Sequence, residues 1–174
     1  MKRVLALKKN DCKIILSKGT YVLIIRCSRE TFVEVGKLGG VKVSDKVFYL
    51  YVGSAYSKGG LLLRLLRHLR YSNKTLFWHI DYLLNITTGC EVRKIIVIPE
   101  KRVEHFIAKN LASKLNYVPK FGSSDCKCPS HLFLFSASEL EKVLVAITNI
   151  LKEENLKLKV ISPSEVISYG GKVK

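Results

Sequence analysis

Acidic side chains are the scarce charge in this chain. Among 174 residues, 14 Asp and Glu stand against 30 Lys and Arg, which leaves a net charge of +16 at pH 7. So large a surplus suggests a polyanionic partner, because Lys and Arg at phosphates release counterions. Long apolar runs are missing too. None approaches the roughly 20 residues that a membrane span needs, so no membrane role is expected. Val4 to Leu7 is apolar but ends at Lys8-Lys9, too short for the core of a secretory leader. The five cysteines are an odd count without the spacing of a secreted disulfide framework. A cytoplasmic protein with mostly reduced thiols is the expectation, with Cys12 and Cys27 as core residues. Internal repeats and low-complexity linkers are absent. The glycines are too irregularly spaced for a dinucleotide-binding unit. What remains is enough chain for one domain with a real core and perhaps a small appendage.

The patterning reads as a mixed chain. Cys12 to Leu16 suggests a short strand. Tyr21 to Cys27, Thr31 to Val35 and Val47 to Val52 are β-rich, with Gly36, Gly39 and Gly40 marking turns. A meander of these strands would let Tyr21 and Tyr51 meet at one end of a small sheet. Leu61 to Tyr71 has helical periodicity, with Leu62, Leu65, Leu66 and Leu69 inward and Arg64, Arg67, His68 and Arg70 at or beyond the edge. Phe77 to Asn85 suggests a second helix. Cys90 to Ile98 returns to strand and ends at Pro99, and Glu100 to Leu115 reads as a helix. Asn116 to Ser130 is a loop by composition, followed by a short strand, Leu132 to Phe135. Ser138 and Glu141 have capping-box spacing at the head of a helix to about Glu153. Pro163 to Ser168 suggests a last helical turn.

Gly19-Thr20-Tyr21 and Tyr51-Val52-Gly53 together resemble the paired tripeptides of the GIY-YIG nuclease superfamily, with Thr and Val each in place of Ile. Phe77-Trp78-His79-Ile80-Asp81-Tyr82-Leu83, Phe121-Gly122-Ser123-Ser124-Asp125-Cys126-Lys127-Cys128 and Ser130-His131-Leu132-Phe133 resemble one prokaryotic branch of it. Some members of that branch are fused to endonuclease III-type DNA glycosylases. The resemblance runs from about Gly19 to Phe135. It implies an α/β (α+β) fold, a small, mostly antiparallel central sheet flanked by helices. The expected division is a nuclease-like domain over residues 1–135 and a C-terminal helical extension over 136–174.

Phosphodiester hydrolysis needs a base, a cation over the developing charge and usually a metal ion near the leaving oxygen. The resemblance implies Tyr21 as base, assisted by Tyr51, with Arg64 on the phosphate and Glu104 holding one Mg²⁺ or Mn²⁺. Tyrosine ionises near pKa ~10, and Arg64 is the cation expected to lower it. His68 would position water or shuttle a proton, since imidazole titrates near neutrality. Gly53 and Arg67 join the substrate-binding set. His79, beside Asp81, would bond to a groove or lock its helix to the sheet. Ser123, Ser124 and Asp125 lie in a compact polar turn able to offer donors to a phosphate. Superfamily members often end the core with Pro-x-aromatic-Asn. Here the run is Pro119-Lys120-Phe121-Gly122, and Ser123, Ser124 or Asp125 would have to substitute for the asparagine. Cys126, Cys128 and His131 look like part of a zinc site, but their spacing is not a standard structural pairing, and no zinc is expected there.

The resemblance implies a metal-dependent nuclease acting on nucleic acid, DNA before RNA, with a role in DNA repair. The alternatives are a non-catalytic nucleic-acid-binding module on the same fold and an accessory to a base-excision glycosylase.

Overall fold

The computed structural model describes residues 9–171, so the Val4 to Leu7 segment lies outside the described residues, as does the side chain of Cys12. Helix α1 (Lys9–Leu16) precedes strand β1 (Gly19–Cys27) and the pair β2 (Thr31–Val35) and β3 (Gly39–Val43). Strand β4 (Val47–Ala55), helices α2 (Gly60–His68) and α3 (His79–Leu83), and strand β5 (Cys90–Pro99) follow. Next come α4 (Glu104–Ala112), β6 (Asn116–Tyr117), β7 (Leu132–Ser136), α5 (Leu140–Glu153), β8 (Lys159–Ile161) and α6 (Pro163–Gly170).

Six strands make one sheet in the order β6-β7-β4-β1-β5-β8, and each of its pairings is antiparallel. The mixed, mostly antiparallel architecture is the one expected. β1 lies inside the sheet and helices pack over both of its faces, which is why its sequence is apolar without alternation. Tyr21, Leu23 and Ile25 join a core under α2, α3 and α6, while Val22 and Ile24 join a second core under α4 and α5. β2 and β3 pair as a separate hairpin, and α3 packs beside β2.

Several local expectations are corrected. Cys12 to Leu16 belongs to a helix, not a strand. Ile15 is buried while Leu16 is half exposed, and the chain leaving α1 receives the N–H of Leu61 on the Ser17 carbonyl, seating it against the start of α2. The second helix is shorter than Phe77 to Asn85, because the Asp81 carboxylate reaches back to accept from the N–H groups of Phe77 and Trp78. Helix α4 starts at Glu104, not Glu100, whose backbone is left-handed. Thr20 sets that start: its hydroxyl donates to the Lys101 carbonyl and accepts from the Val103 N–H. The capping box uses Ser136 and Glu139, two residues before the expected pair, because Ser136 closes β7 in extended backbone.

The C-terminal segment is helical in α5 and α6, and it also supplies β8, which pairs with β5. Cys27 and Cys90 stand opposite each other on β1 and β5 and are joined by a disulfide. That corrects the expectation of reduced thiols for this pair, since sequence spacing could not reveal strand register. Among the described residues, no helix is long and apolar enough to cross a membrane.

Candidate active site

The antiparallel register of β1 and β4 sets Tyr21 opposite Gly53 and Leu23 opposite Tyr51. Side chains two apart on a strand share a face, so both tyrosines project to the same side, with ring centroids 6.4 Å apart. A methyl group at Gly53 would fall on the Tyr21 hydroxyl, so this glycine makes room for the first tyrosine.

Helix α2 lies across this face and delivers His68. Its Nε2 is 2.7 Å from the Tyr21 hydroxyl, and both side chains are fully buried. Periodicity put His68 at the helix edge, but it occupies the inward face with Leu61 and Leu65. Burial pushes the Tyr21 phenol well above its ordinary value, the neighbouring Tyr51 adds to the rise, and Arg64 opposes both. Tyr51 is raised by burial in the same way. The expectation that Arg64 would lower the tyrosine is therefore right in sign for that one interaction and wrong for the sum. His68 is corrected too. Burial lowers it to about 3, so its imidazole is neutral at neutral pH and does not titrate there. The resting pair is a protonated phenol against a neutral imidazole.

Arg64, one turn before His68, reaches the Ser57 hydroxyl at 3.2 Å and stacks its guanidinium 4.9 Å from the Trp78 ring. Glu104, at the first position of α4, approaches from the far side of β4. It accepts from Arg102 at 3.1 Å, from Ser54, and from Thr20 at 3.5 Å. Burial works to raise its pKa, but its own backbone N–H and the Arg102 and Ser54 donors outweigh that, and the carboxyl sits below its ordinary value.

These groups line one cleft of about 640 Å³. Tyr21, Tyr51, Gly53, Arg64, His68, His79, Glu104, Ser124 and Asp125 all contribute, whereas Arg67 and Ser123 are not among the lining residues. Arg67 donates to Asp81 at 2.6 Å and to the Thr75 carbonyl at 2.7 Å, and Ser123 is buried. His79 accepts the Gly122 N–H on Nδ1 at 2.9 Å, which ties α3 to the polar turn, and Phe121 packs edge-on against both Tyr51 and His79. Tyr56, Trp78, Arg102, His105 and His131 also line the cleft. Sequence reasoning did not place them in the site. The nearest signal was adjacency, since Arg102 and His105 flank Glu104.

Fold and site define an α+β protein whose antiparallel sheet and flanking helices bring two tyrosines, a histidine, an arginine and a carboxylate to one cleft. The family described as "Domain of unknown function DUF123" matches residues 20–153, and the chain belongs to it. No curated protein and no solved structure matches the chain.

Proposed function

We propose that the protein is a metal-dependent nuclease that hydrolyses phosphodiester bonds in nucleic acid, DNA before RNA, in DNA repair. One observation carries the reading: Tyr21, Tyr51, Arg64, His68 and Glu104, far apart in sequence, line a single cleft. The motif resemblance and the net charge of +16 support it.

Arg64 would bind the scissile phosphate and stabilise the charge that grows on its oxygens. Tyr21 would orient the attacking water. As water gives its proton to the phenolic oxygen, the phenol's own proton passes to His68 Nε2. Burial makes that imidazolium costly at rest, and a phosphate carrying more charge beside it favours it. Glu104 fits a Mg²⁺ or Mn²⁺ ion, being a carboxylate at the cleft wall held below its ordinary pKa, with its principal charged partner, Arg102, largely exposed. Such an ion would supply charge stabilisation at the leaving oxygen. The cytoplasm is the compartment this reading favours, and a base-excision glycosylase is the partner class that the branch resemblance suggests.

The buried pair of an un-ionised Tyr21 phenol and a neutral His68 imidazole favours a second reading, a non-catalytic nucleic-acid-binding module. Cleavage assays on nicked, branched, damaged and single-stranded substrates, with Mg²⁺, with Mn²⁺ and with chelator, separate the two. A nuclease loses metal-dependent product in Glu104→Gln and loses about 10²–10³ in rate in Arg64→Ala. Absence of product from wild-type protein on every substrate, with binding retained, leaves the binding module.

A further inference from the structure

His105, Cys126 and His131 bring three ligand atoms within 4.8 Å of one another, although one residue is on α4 and two are in the loop before β7. Cys126 Sγ and His131 Nε2 are 3.4 Å apart. A tetrahedral ion with bonds of about 2.0–2.1 Å to nitrogen and 2.3 Å to sulfur sets those two ligand atoms about 3.5 Å apart. The spacing fits.

His131 carries a second mark. Its Nδ1 is 2.9 Å from the Val52 carbonyl, an acceptor that fixes the proton on Nδ1 and leaves the Nε2 lone pair facing Cys126. Metal-ligating histidines almost always donate their other ring N–H in this way. The ring is buried.

We propose that His105, Cys126 and His131 bind one transition-metal ion of the zinc class, with a fourth position open to the cleft. Two imidazoles and a thiolate are borderline-to-soft donors, which select zinc, cobalt or copper over magnesium. Three protein ligands with an open position is the pattern of exchangeable rather than closed sites. His105 and His131 both line the cleft, so the ion would sit at its wall. Cys128, the residue that spacing alone pairs with Cys126, is not in the group. Its thiol lies 3.8 Å from the His105 carbonyl, and burial raises it to about 11. The ion would clamp the loop to the first turn of α4, directly beside Glu104. His105 Nε2 is 3.9 Å from Glu104 Oε1, so the ion would neighbour the hard-cation position at Glu104, but it is defined by its own three ligands and does not depend on the nuclease reading.

The test is a titration of chelator-stripped full-length protein with Co²⁺ and Zn²⁺. One Co²⁺ per chain should bind, with a thiolate-to-cobalt charge-transfer band and the visible bands of a four-coordinate ion, and Zn²⁺ should displace it. Cys126→Ser should abolish the charge-transfer band. His105→Ala, at a half-exposed side chain whose loss leaves the fold intact, should weaken binding by at least about tenfold. Cys128→Ser should keep both stoichiometry and band. Substoichiometric binding, a band that survives Cys126→Ser, or one lost in Cys128→Ser overturns the proposal. The readout is spectroscopic, so a protein that cleaves nothing can still pass it, and an active nuclease can still fail it.

Discussion

Thr20 and Gly53 show how much of the site rests on residues that carry no charge. Thr20 is fully buried on β1, yet its hydroxyl makes two bonds to the turn before α4 and lies 3.5 Å from the Glu104 carboxylate. An isoleucine could not make those contacts, so the threonine in the first tripeptide positions Glu104. Gly53 acts by omission. Replacing it with alanine puts a methyl where the Tyr21 hydroxyl lies, and overpacking of this kind costs about 1–3 kcal/mol. Gly53→Ala should therefore lower the urea midpoint and remove the Tyr21–His68 hydrogen bond. The imidazole resonances of His68 should shift in NMR while those of the more distant histidines stay in place. An unchanged midpoint with unchanged His68 resonances would show that the tyrosine has room the structure does not give it. Both roles escape a reading of motifs. Tyr21 and Tyr51 are legible as a pair because the tripeptides announce them, whereas the space between them depends on strand register.

At the scale of elements, the segment from α2 to α3 hangs on Asp81. The carboxylate is fully buried and accepts from Arg67 and from two backbone N–H groups, with Lys74 3.9 Å away. Burial raises its pKa, and the bonds from Arg67, Trp78 and Phe77 more than reverse that, so the net shift is downward. The sign follows: a carboxyl lowered by folding stabilises the native state fully above the ordinary carboxylate range, and that stability is lost as pH falls through the folded-state value. Lys74, lowered to about 8 by burial, has finished titrating well before that limb begins. Asp81→Asn should cost about 2–3 kcal/mol at neutral pH, less than a wholly buried pair because Arg67 is one-third exposed. The difference between wild type and variant should shrink as pH falls and Asp81 is protonated, while Glu104 and other lowered carboxyls contribute to both and cancel. Unfolding curves across the acid range check this, and a constant difference would refute it. In sequence, His79 and Asp81 were open between a groove contact and a lock of their helix to the sheet. In the structure Asp81 ties the start of α3 to α2, and His79, which lines the cleft, accepts from Gly122.

At the scale of the molecule, the sheet was legible where runs were long and lost where they were short. β1, β4 and β5 stand out as apolar stretches, but Lys159–Ile161 is three residues of Lys-rich chain that becomes a strand only because β5 offers an edge. The helix α1 was misread because five residues of mixed pattern fit either period. The Cys27–Cys90 bridge is a property of register and could not be counted out of spacing. It closes a separation of 63 residues, for which chain entropy gives about 4 kcal/mol of stabilisation, and native-state adjustments commonly reduce that. Thermal unfolding with and without reductant should therefore show a clear loss of stability in wild type. The Cys27→Ser, Cys90→Ser double variant should begin at the lower value and ignore reductant. A reductant effect that persists in the double variant would assign the loss to other thiols.

Net charge is the property that belongs to no single residue. A chain at +16 attracts any polyanion, so binding alone says little, and the slope of binding against salt says more. Each phosphate neutralised on a duplex contributes a slope of about −0.9, and about −0.7 on a single strand. If the cleft and its rim engage about six phosphates, affinity should fall about 10³-fold between roughly 50 and 200 mM salt. Arg64 is then one contact among several, so Arg64→Ala should reduce the slope by about one unit and leave most of the affinity in place. Phe77 and Trp78 modify this picture. They are exposed beside Arg64, and aromatic faces at a basic rim stack on unpaired bases. Phe77→Ala should therefore weaken single-strand binding by about 1–3 kcal/mol while leaving the salt slope and duplex affinity nearly unchanged. Fluorescence anisotropy on matched single- and double-stranded oligonucleotides over a salt series measures all of these quantities together. A flat salt response would remove nucleic acid as the partner of the basic surface. An equal loss on both substrates in Phe77→Ala would mean that the ring supports the fold of the 69–78 segment and meets no base.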